Sequence, residues 1–420
     1  MKQLALIFLC VLCFVPRQSL AQSDQTELTW QNVLNEAHAN HPDLVSSREK
    51  LNQIKAARAL TKSNALPQIS SNLSADRSKS AASNSSDSYA YGVNAKQLLF
   101  DGFKTTFDIK EADANIKAAQ YNYAVTSSNV RFNLRIAFID LLNAQQSLLV
   151  AQDIEKRRRQ NWKMVNLRYE GGSEHKGSLM TEEANLSQAQ FDIAQAQRNI
   201  ELSQRRLVKA IGWREYRPIV VKGDLTISAV DKNLPPYEEM IKTIPLLQEL
   251  VAQKESARLG VNSAKADFFP QIYANASAGR SDNRWPPGQS NWSAGFSVTF
   301  PLFEGGAQQA RLAQAKAALG QAQAEERSGR DGVIFTLADT WTQWQDGVDN
   351  VGVQIKFLEA AKQRAKIAEA QYGAGLVTFN DWIIIENDLV NNQKLFLSAQ
   401  ANALIAEANW IQAKGVTLDE

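Results

Sequence analysis

Four segments of the chain alternate between apolar and polar positions with a period of two, which predicts β-strands. In the clearest one, Trp292 and Phe296 lie on one face while Ser293 and Ser297 lie on the other. Strands of about ten residues with one apolar face are typical of a transmembrane β-barrel. A soluble sheet with one wet face gives the same alternation, so both interpretations stay open at this point. The predicted strands are 66–77, 88–100, 270–281 and 291–301.

Between these strands, the apolar positions recur at helical spacing. Val130, Leu134 and Leu141 form a stripe in the segment 103–170, which contains no proline. At about 1.5 Å per residue, this helix would be roughly 100 Å long. Pairs of shorter helices, stacked end to end beside each long one, would suit a long cylinder. The predicted helices are 30–64, 103–170, 178–212, 233–267, 305–373 and 378–414, with an equatorial linker at 213–232 and a C-terminal tail at 416–420.

The chain repeats itself at an offset of 203 positions without a gap. Glycine and proline recur in the same register, which chance similarity would not maintain over such a length. This pattern predicts a tandem duplication, with a first structural repeat at 22–212 and a second at 233–415. The matching positions include Pro42 with Pro245, Pro67 with Pro270, Gly102 with Gly305, Tyr169 with Tyr372, Gly172 with Gly375, and Gly212 with Gly415.

Residues 1–21 read as a secretory signal peptide. A basic Lys2 precedes twelve apolar residues, from Leu4 to Val15, and "SLA" follows, which predicts cleavage after Ala21. Both cysteines of the chain, Cys10 and Cys13, lie in this segment. The remaining chain then has no cysteine, which excludes a disulfide framework and a thiolate metal site.

Charge and hydropathy narrow the class of protein further. The chain has 46 basic and 44 acidic residues, and the signal peptide holds two of the basic ones and none of the acidic ones. The mature protein thus has no net charge, which argues against nucleic-acid binding. No run of 18 apolar residues follows residue 21, so no transmembrane helix is predicted. An exported chain of this kind would be soluble, peripheral or a β-barrel.

The sequence offers little that points to catalysis. His38, His41 and His175 are the only histidines, and their scatter predicts no metal site. Phosphate-binding loops and nucleophile elbows are absent from the sequence. The basic run 157–159 has acids beside it, which favours a solvated helix face over a binding patch. We therefore expect no enzyme activity, no cofactor and no metal.

Four strands in one chain cannot close a barrel, and lipid does not tolerate open sheet edges. Several copies of the chain must then contribute to one barrel. At this point the whole mature chain resembles the TolC-like outer-membrane channel family. The resemblance is carried by the duplication, the strand entries "LPQ" and "FPQ", the strand exits "LLFDGF" and "LFEGG", and the helix turns "RYEGG" and "QYGAG".

The resemblance implies a mixed α and β membrane protein that forms a homotrimer. Each chain would give four strands to one shared twelve-stranded β-barrel in outer-membrane lipid, continued by a long periplasmic α-helical barrel. Such a channel serves as the exit duct of tripartite efflux pumps and type I secretion systems in Gram-negative bacteria. Its implied partners are a periplasmic adaptor protein and an inner-membrane transporter.

The resemblance also assigns roles at the two junctions between strand and helix. Phe100 and Phe303 would lie in the aromatic girdle at the periplasmic edge of the membrane, where a ring is half in lipid and half in water. Gly102 and Gly305 would let the chain bend from a tilted strand into a helix. Any turn from strand to helix favours glycine, so a purely structural role is the alternative.

The helix turns would lie at the far end of the tunnel, where the family closes its entrance. The turn residues are Tyr169, Gly171, Gly172, Tyr372 and Gly375. The family pattern places a pore-lining acid at Asp381, whereas Ile384 stands where a second acid is expected. Thr378 and Asp381 also fit a helix N-cap with an acid at its third position. Glu174, His175 and Lys176 in the first turn would be solvated, or would help to select the adaptor.

Three functions are therefore carried forward. The leading one is a passive outer-membrane duct for small molecules (drugs, toxic compounds or metals) or secreted proteins. The second is a dedicated outlet for type I protein secretion, which the sequence alone does not separate from the first. The third, of another class, is a soluble periplasmic coiled-coil scaffold or adaptor.

Overall fold

The computed structural model describes residues 26–79, 85–230 and 233–419. The predicted signal peptide lies outside these ranges and stays a prediction. A short strand β1 (Thr26–Leu28) opens the described chain. The first repeat then contains α1 (Trp30–Asn40), α2 (Pro42–Ser63), β2 (Gln68–Ser78), β3 (Ser86–Phe100), α3 (Lys104–Glu170) and α4 (Lys176–Ile211).

The linker adds a second short strand, β4 (Ile219–Val221). The second repeat begins with a short helix and a 3-10 turn (Ile241–Thr243) and then follows the order of the first. The helices α3 and α7 have the same length, 67 residues. The elements of the second repeat are α5 (Tyr237–Met240), α6 (Pro245–Ala266), β5 (Gln271–Asp282), β6 (Gln289–Thr299), α7 (Ala307–Gly373) and α8 (Phe379–Ala413).

The predictions of unbroken helices at 30–64 and 233–267 are wrong. The first is interrupted at His41, and the second begins as a continuous helix only at Pro245. His41 and Ile244 precede the two prolines and have nearly the same extended conformation, with φ −68° and ψ 123° against φ −69° and ψ 124°. A proline ring disfavours the helical conformation of the residue before it, and proline itself suits the first position of the helix that follows.

The four long strands form one antiparallel sheet in the order β2-β3-β5-β6. Its two faces differ sharply in chemistry. On one face the large apolar side chains are bare, with Trp292 79%, Phe296 78% and Leu73 71% exposed. On the other face lie small and polar side chains such as Asn72 and Asn94, which hydrogen-bond across β2 and β3 at 3.0 Å. The strands β2 and β6 form the two edges of this sheet.

The main hydrophobic core forms a belt that joins both ends of the described chain to the helices. β1 and β4 pair in parallel, with Leu28 opposite Val221. Ile219 of β4 is fully buried, as are Leu134 of α3 and Leu207 of α4, which belong to the same core. The predicted tail is also part of the belt, since Leu418 is 8% exposed and its N–H donates to Ser127 Oγ at 3.0 Å.

A second cluster lies beside the belt, where Trp341 packs against Trp344 and Trp410 with ring centroids 5.4 and 5.1 Å apart. Among the described helices, none is both long enough and apolar enough to cross a membrane.

Candidate channel junctions and tip

The two junctions between strand and helix share one backbone design. Gly102 has φ +69° and Gly305 has φ +61°, and each is followed by a second residue of positive φ, Phe103 at +69° and Gly306 at +85°. A side chain at Gly102 is excluded by space as well, because a Cβ there would lie 2.5 Å from Phe269 Cβ. Left-handed backbone favours glycine, so Phe103 holds a strained position that its repeat partner fills without strain.

The aromatic residues at the junctions have different surroundings. The Phe100 ring packs edge-on against Phe103, with centroids 5.7 Å apart. Phe303 is 85% exposed and follows the end of β6. Near Phe100, the Asp101 carboxylate accepts a hydrogen bond from the Thr105 N–H at 2.8 Å and so satisfies an open donor at the start of α3.

The two tip turns are also alike in backbone. Gly172 and Gly375 have φ +72° and +76°, and each follows the end of a long helix. In the first turn the Ser173 N–H donates to the Arg168 carbonyl, and in the second the Leu376 N–H donates to the Gln371 carbonyl, both at 2.8 Å. This six-to-one bond with glycine in the left-handed region is the Schellman motif that ends a helix. Gly171 has φ −77° and does not need to be glycine for its backbone angle.

The two tip tyrosines, in contrast, are not equivalent. Tyr372 is 1% exposed and stacks on Trp382, with centroids 4.4 Å apart and planes 5° apart. Its hydroxyl donates to Glu174 Oε2 at 2.7 Å, and its carbonyl accepts from Arg168 Nη1 at 2.8 Å. Tyr169 is 39% exposed. Of the two, only Tyr372 therefore joins the two turns.

Of the two roles expected for Glu174, a solvated turn residue or a contributor to adaptor selection, the first is wrong. Its side chain is 9% exposed, whereas that of the neighbouring His175 is 73% exposed. Burial by itself would raise the pKa of Glu174. Hydrogen bonds from Tyr372, the His175 N–H and Ser178 outweigh that effect and hold the pKa below its ordinary value. The carboxylate therefore stays charged inside the tip.

The prediction that the basic run 157–159 is a solvated helix face holds only for Arg159. Arg157 donates two hydrogen bonds of 2.7 Å to the two oxygens of Glu386, whose side chain is 1% exposed. Asn161 Nδ2 donates to the same carboxylate at 3.1 Å. Paired guanidinium–carboxylate bonds of this kind are strong and fix orientation. They connect α3 to α8.

A second buried pair lies beside the first. Arg158 Nη1 is 3.8 Å from Glu182 Oε1, and the two side chains are 7% and 0% exposed. Burial raises the pKa of Glu182 and lowers the pKa of Arg158, because both lose water. Arg158 also donates to Asn387 of α8. Neighbouring acids along the sequence suggested solvation, but they do not reveal which face of a helix meets another helix.

Asp381 lies at the start of α8, on the outside of the single chain. Its N–H donates to Thr378 Oγ1 at 3.2 Å, and the Thr378 hydroxyl donates back to its carboxylate at 2.7 Å. The predicted N-cap is therefore present. Ile384 follows one turn later and is 65% exposed.

Within the described ranges, the structure shows no group of three or more histidine or acidic side chains that could hold a metal. The arrangement as a whole combines a sheet with a bare apolar face, two helices of about 100 Å and a tip made of two helix turns. The family described as outer membrane efflux protein matches residues 33–213 and 237–416. This chain belongs to that family.

Individual members of the outer membrane efflux protein family are similar over nearly the whole chain. The outer membrane efflux protein BepC of Brucella suis is 23% identical over 412 residues, which cover 94% of this chain and 89% of BepC. The outer membrane protein TolC of Escherichia coli K12 is 22% identical over an alignment of 438 positions, which covers 96% of this chain and 84% of TolC.

Solved structures agree in fold. A crystal structure of CusC has a TM-score of 0.84 at 18% identity and covers 92% of this chain and 91% of its own. The crystal structure of VceC from Vibrio cholerae has a TM-score of 0.81 at 19% identity and covers 93% and 96%. These likenesses, together with the family match, confirm the predicted TolC-like fold class, in which three copies share one barrel above a helical tunnel.

Family membership confirms three further predictions. The chain is an outer-membrane protein with a periplasmic tunnel, and it is an efflux channel rather than an enzyme. Channels of this family are trimers that work with adaptors and inner-membrane transporters. The alternative of a soluble scaffold is set aside, because it does not agree with this family.

Proposed function

We propose that three copies of this chain form the passive exit duct of one tripartite export system. A periplasmic adaptor would dock on the tunnel, and an inner-membrane transporter would supply the energy. The observation that carries the proposal is the sheet, which has a bare apolar face and two open edges in a single chain. The unpaired backbone groups of such edges need strands of neighbouring copies as hydrogen-bond partners in lipid, and the apolar face suits contact with lipid.

The first test is the channel itself. Purified protein added to a planar bilayer should give discrete single-channel currents, and its mass in detergent should be that of a trimer. Failure to insert, or a stable folded monomer, would contradict the proposal.

For the cargo, we favour small molecules over secreted proteins. BepC is named as an efflux protein and CusC as part of a cation efflux system, and both align with more than 90% of this chain. A deletion strain should become sensitive to some members of a panel of antibiotics, detergents, solvents and metal salts. Loss of a secreted protein from the medium, with unchanged sensitivity to the whole panel, would instead favour the type I secretion outlet.

Asp381 is the proposed selectivity residue of the closed entrance. Three carboxylates around a symmetry axis would attract cations and repel anions. Asp381→Asn should weaken cation selectivity and block by multivalent cations, while it keeps a side-chain oxygen that can accept the hydrogen bond from the Thr378 hydroxyl. The matched control is Thr378→Val, which removes the cap bond but leaves the charge. An unchanged Asp381→Asn channel, or an equal effect of Thr378→Val, would overturn the assignment.

The junction residues complete the proposal. We place Phe100 and Phe303 at the periplasmic edge of the bilayer, and the 85% exposure of Phe303 supports that placement. Phe303→Cys carrying a polarity-sensitive fluorophore should be quenched by lipids with a quencher near the headgroup. The matched control is Glu359→Cys on the long helix α7, which should not be quenched. Equal quenching at both sites would contradict the placement.

A further inference from the structure

The four strands carry six charged residues, and their distribution between the two faces is uneven. Side chains on paired residues of a sheet share a face, so the register assigns each charge to one side. The apolar face holds four of them, all near the outer ends of the strands: Arg77, Asp87, Arg280 and Asp282. Arg77 Nε and Asp87 Oδ1 are 3.4 Å apart and neutralise each other.

The opposite face is lined almost wholly by serine, asparagine, glutamine and glycine. It carries one anion, Asp76, and one cation, Lys96. Asp76 lies near the outer end, opposite Ser88, whereas Lys96 lies opposite Gln68 at the end where the helices begin. The two charges are eight residues apart along the ladder, or about 27 Å at roughly 3.4 Å per residue. They are too far apart to pair.

Lys96 also lacks an ion-pair partner among the described residues. Its ammonium lies 3.9 Å from the centroid of the Tyr273 ring, on the same face of the sheet. Lys96 is exposed and borders a cavity of about 300 Å³ between the sheet and the start of α3. A cation held only by an aromatic ring remains free to bind an anion.

The other charges at this cavity are already engaged. Lys104 is 2.6 Å from Asp267, while Asp101 is 9% exposed and accepts hydrogen bonds from Thr105. Asp108 accepts from Ser263. These groups reduce the field around Lys96, but Lys96 is the exposed cation that can contact a passing ion directly.

We infer that the Lys96 side chains of three copies form a ring of ammonium groups inside the tunnel end of the barrel, which binds small anions and the anionic groups of cargo. The polar face of a membrane barrel lines its lumen, so three copies place three such groups around the axis. This inference rests on the proposed channel function. It gives the barrel a preference opposite in sign to that of the Asp381 entrance.

The test uses single-channel recording of the full protein in a tenfold KCl gradient, with chloride as the probe anion. Lys96→Gln should lower the chloride-to-potassium permeability ratio about twofold, and Lys96→Glu should lower it further. The matched control is Arg280→Gln, which removes the same charge from the apolar face and should leave the ratio unchanged. Asp76→Asn, on the lumen face, should raise it.

A second measurement avoids any effect of the substitution on folding. Since both cysteines lie in the predicted signal peptide, Lys96→Cys would be the only thiol of the mature protein. A reagent that attaches an ammonium group to an inserted channel should restore chloride permeability, and one that attaches a sulfonate should lower it. If neither reagent changes the ratio and Lys96→Gln matches the wild type, the inference is wrong while the channel function stands. If the wild-type protein gives no current at all, both are wrong.

Discussion

The two helical turns at the tip have the same backbone, but only the second is built around a buried aromatic cluster, which consists of Tyr372, Phe379 and Trp382. Tyr372 is 1% exposed and its repeat partner Tyr169 is 39% exposed. Glu386 is buried, and its partner Glu183 is exposed. The duplication therefore preserved the path of the chain, while the environments of matching side chains diverged.

The arginines that donate hydrogen bonds at the tip have also diverged between the two repeats. Arg157, Arg158 and Arg168 all belong to the first repeat, and each donates to a residue of the second. Their own repeat partners are Ala360, Ala361 and Gln371. In an ancestral protein with two identical repeats, each contact from the first repeat to the second would have had an equivalent from the second to the first. Here the contact is made once, which ties α3 to α7 and α8 in one direction.

The largest difference between the repeats is expected at the paired glutamates. Glu386→Ala should destabilise the tip by about 3 kcal/mol, the lower end of the cost of breaking a buried ion pair, because Arg157 keeps Glu369 as a partner. Glu183→Ala should change the tip by less than about 0.5 kcal/mol, since it lies on the surface. Amide hydrogen exchange in α8 and at the end of α3 measures both. Equal protection from exchange in the two variants would contradict the expected difference between Glu386 and Glu183.

Much of the backbone plan could be predicted from the sequence, because it depends on local periods and on glycine and proline. The strands at 270–281 and 291–301 differ from β5 and β6 by one or two residues at each end. Pro42 and Pro245 are local signals for the two helix breaks, because proline disfavours helical backbone at the residue before it. The parallel pair β1 and β4 was missed as a pair, because three-residue strands carry almost no periodic signal.

Local sequence patterns could not predict which side chains of the tip are buried and which are exposed. Tyr169 and Tyr372 occupy matching positions, and only the packing of Trp382 and Arg168 makes one of them central. Arg157 and Arg158 read as solvated because nearby acids dominate the local pattern. Which partner a charge takes depends on an element more than 200 residues away, and no local rule specifies that.

The paired turn glycines test what the repeats still share. Gly172→Ala and Gly375→Ala should each cost roughly 1–2 kcal/mol, because both need left-handed backbone and a Cβ meets nothing within 4 Å at either site. The control is Gly373→Ala, at the last residue of α7, which is not among the glycines of positive φ and should be neutral or slightly stabilised by alanine. Hydrogen exchange at the two turns provides the measurement. A cost at one turn and not at the other would mean that the backbones have diverged as well.

The smallest expected difference is at the tip tyrosines. Tyr372→Phe keeps the stack on Trp382 but removes the hydroxyl that donates to Glu174, which should cost about 1 kcal/mol, while Tyr169→Phe should cost nothing measurable. The pH dependence separates this bond from packing. Since the pKa of Glu174 lies below its ordinary 4.5, its contribution is fully present above pH 4.5 and is lost as the pH falls through the lowered value.

Tyr372→Phe should therefore weaken the acid sensitivity of the tip, because it removes one of the bonds that lower this pKa. Hydrogen exchange corrected for its intrinsic pH dependence, or tryptophan fluorescence near Trp382, would follow the transition. An acid response of Tyr372→Phe identical to that of the wild type would show that Glu174 holds its charge without the tyrosine. The Tyr372 hydroxyl would then add nothing to the second turn beyond the packing of its ring on Trp382.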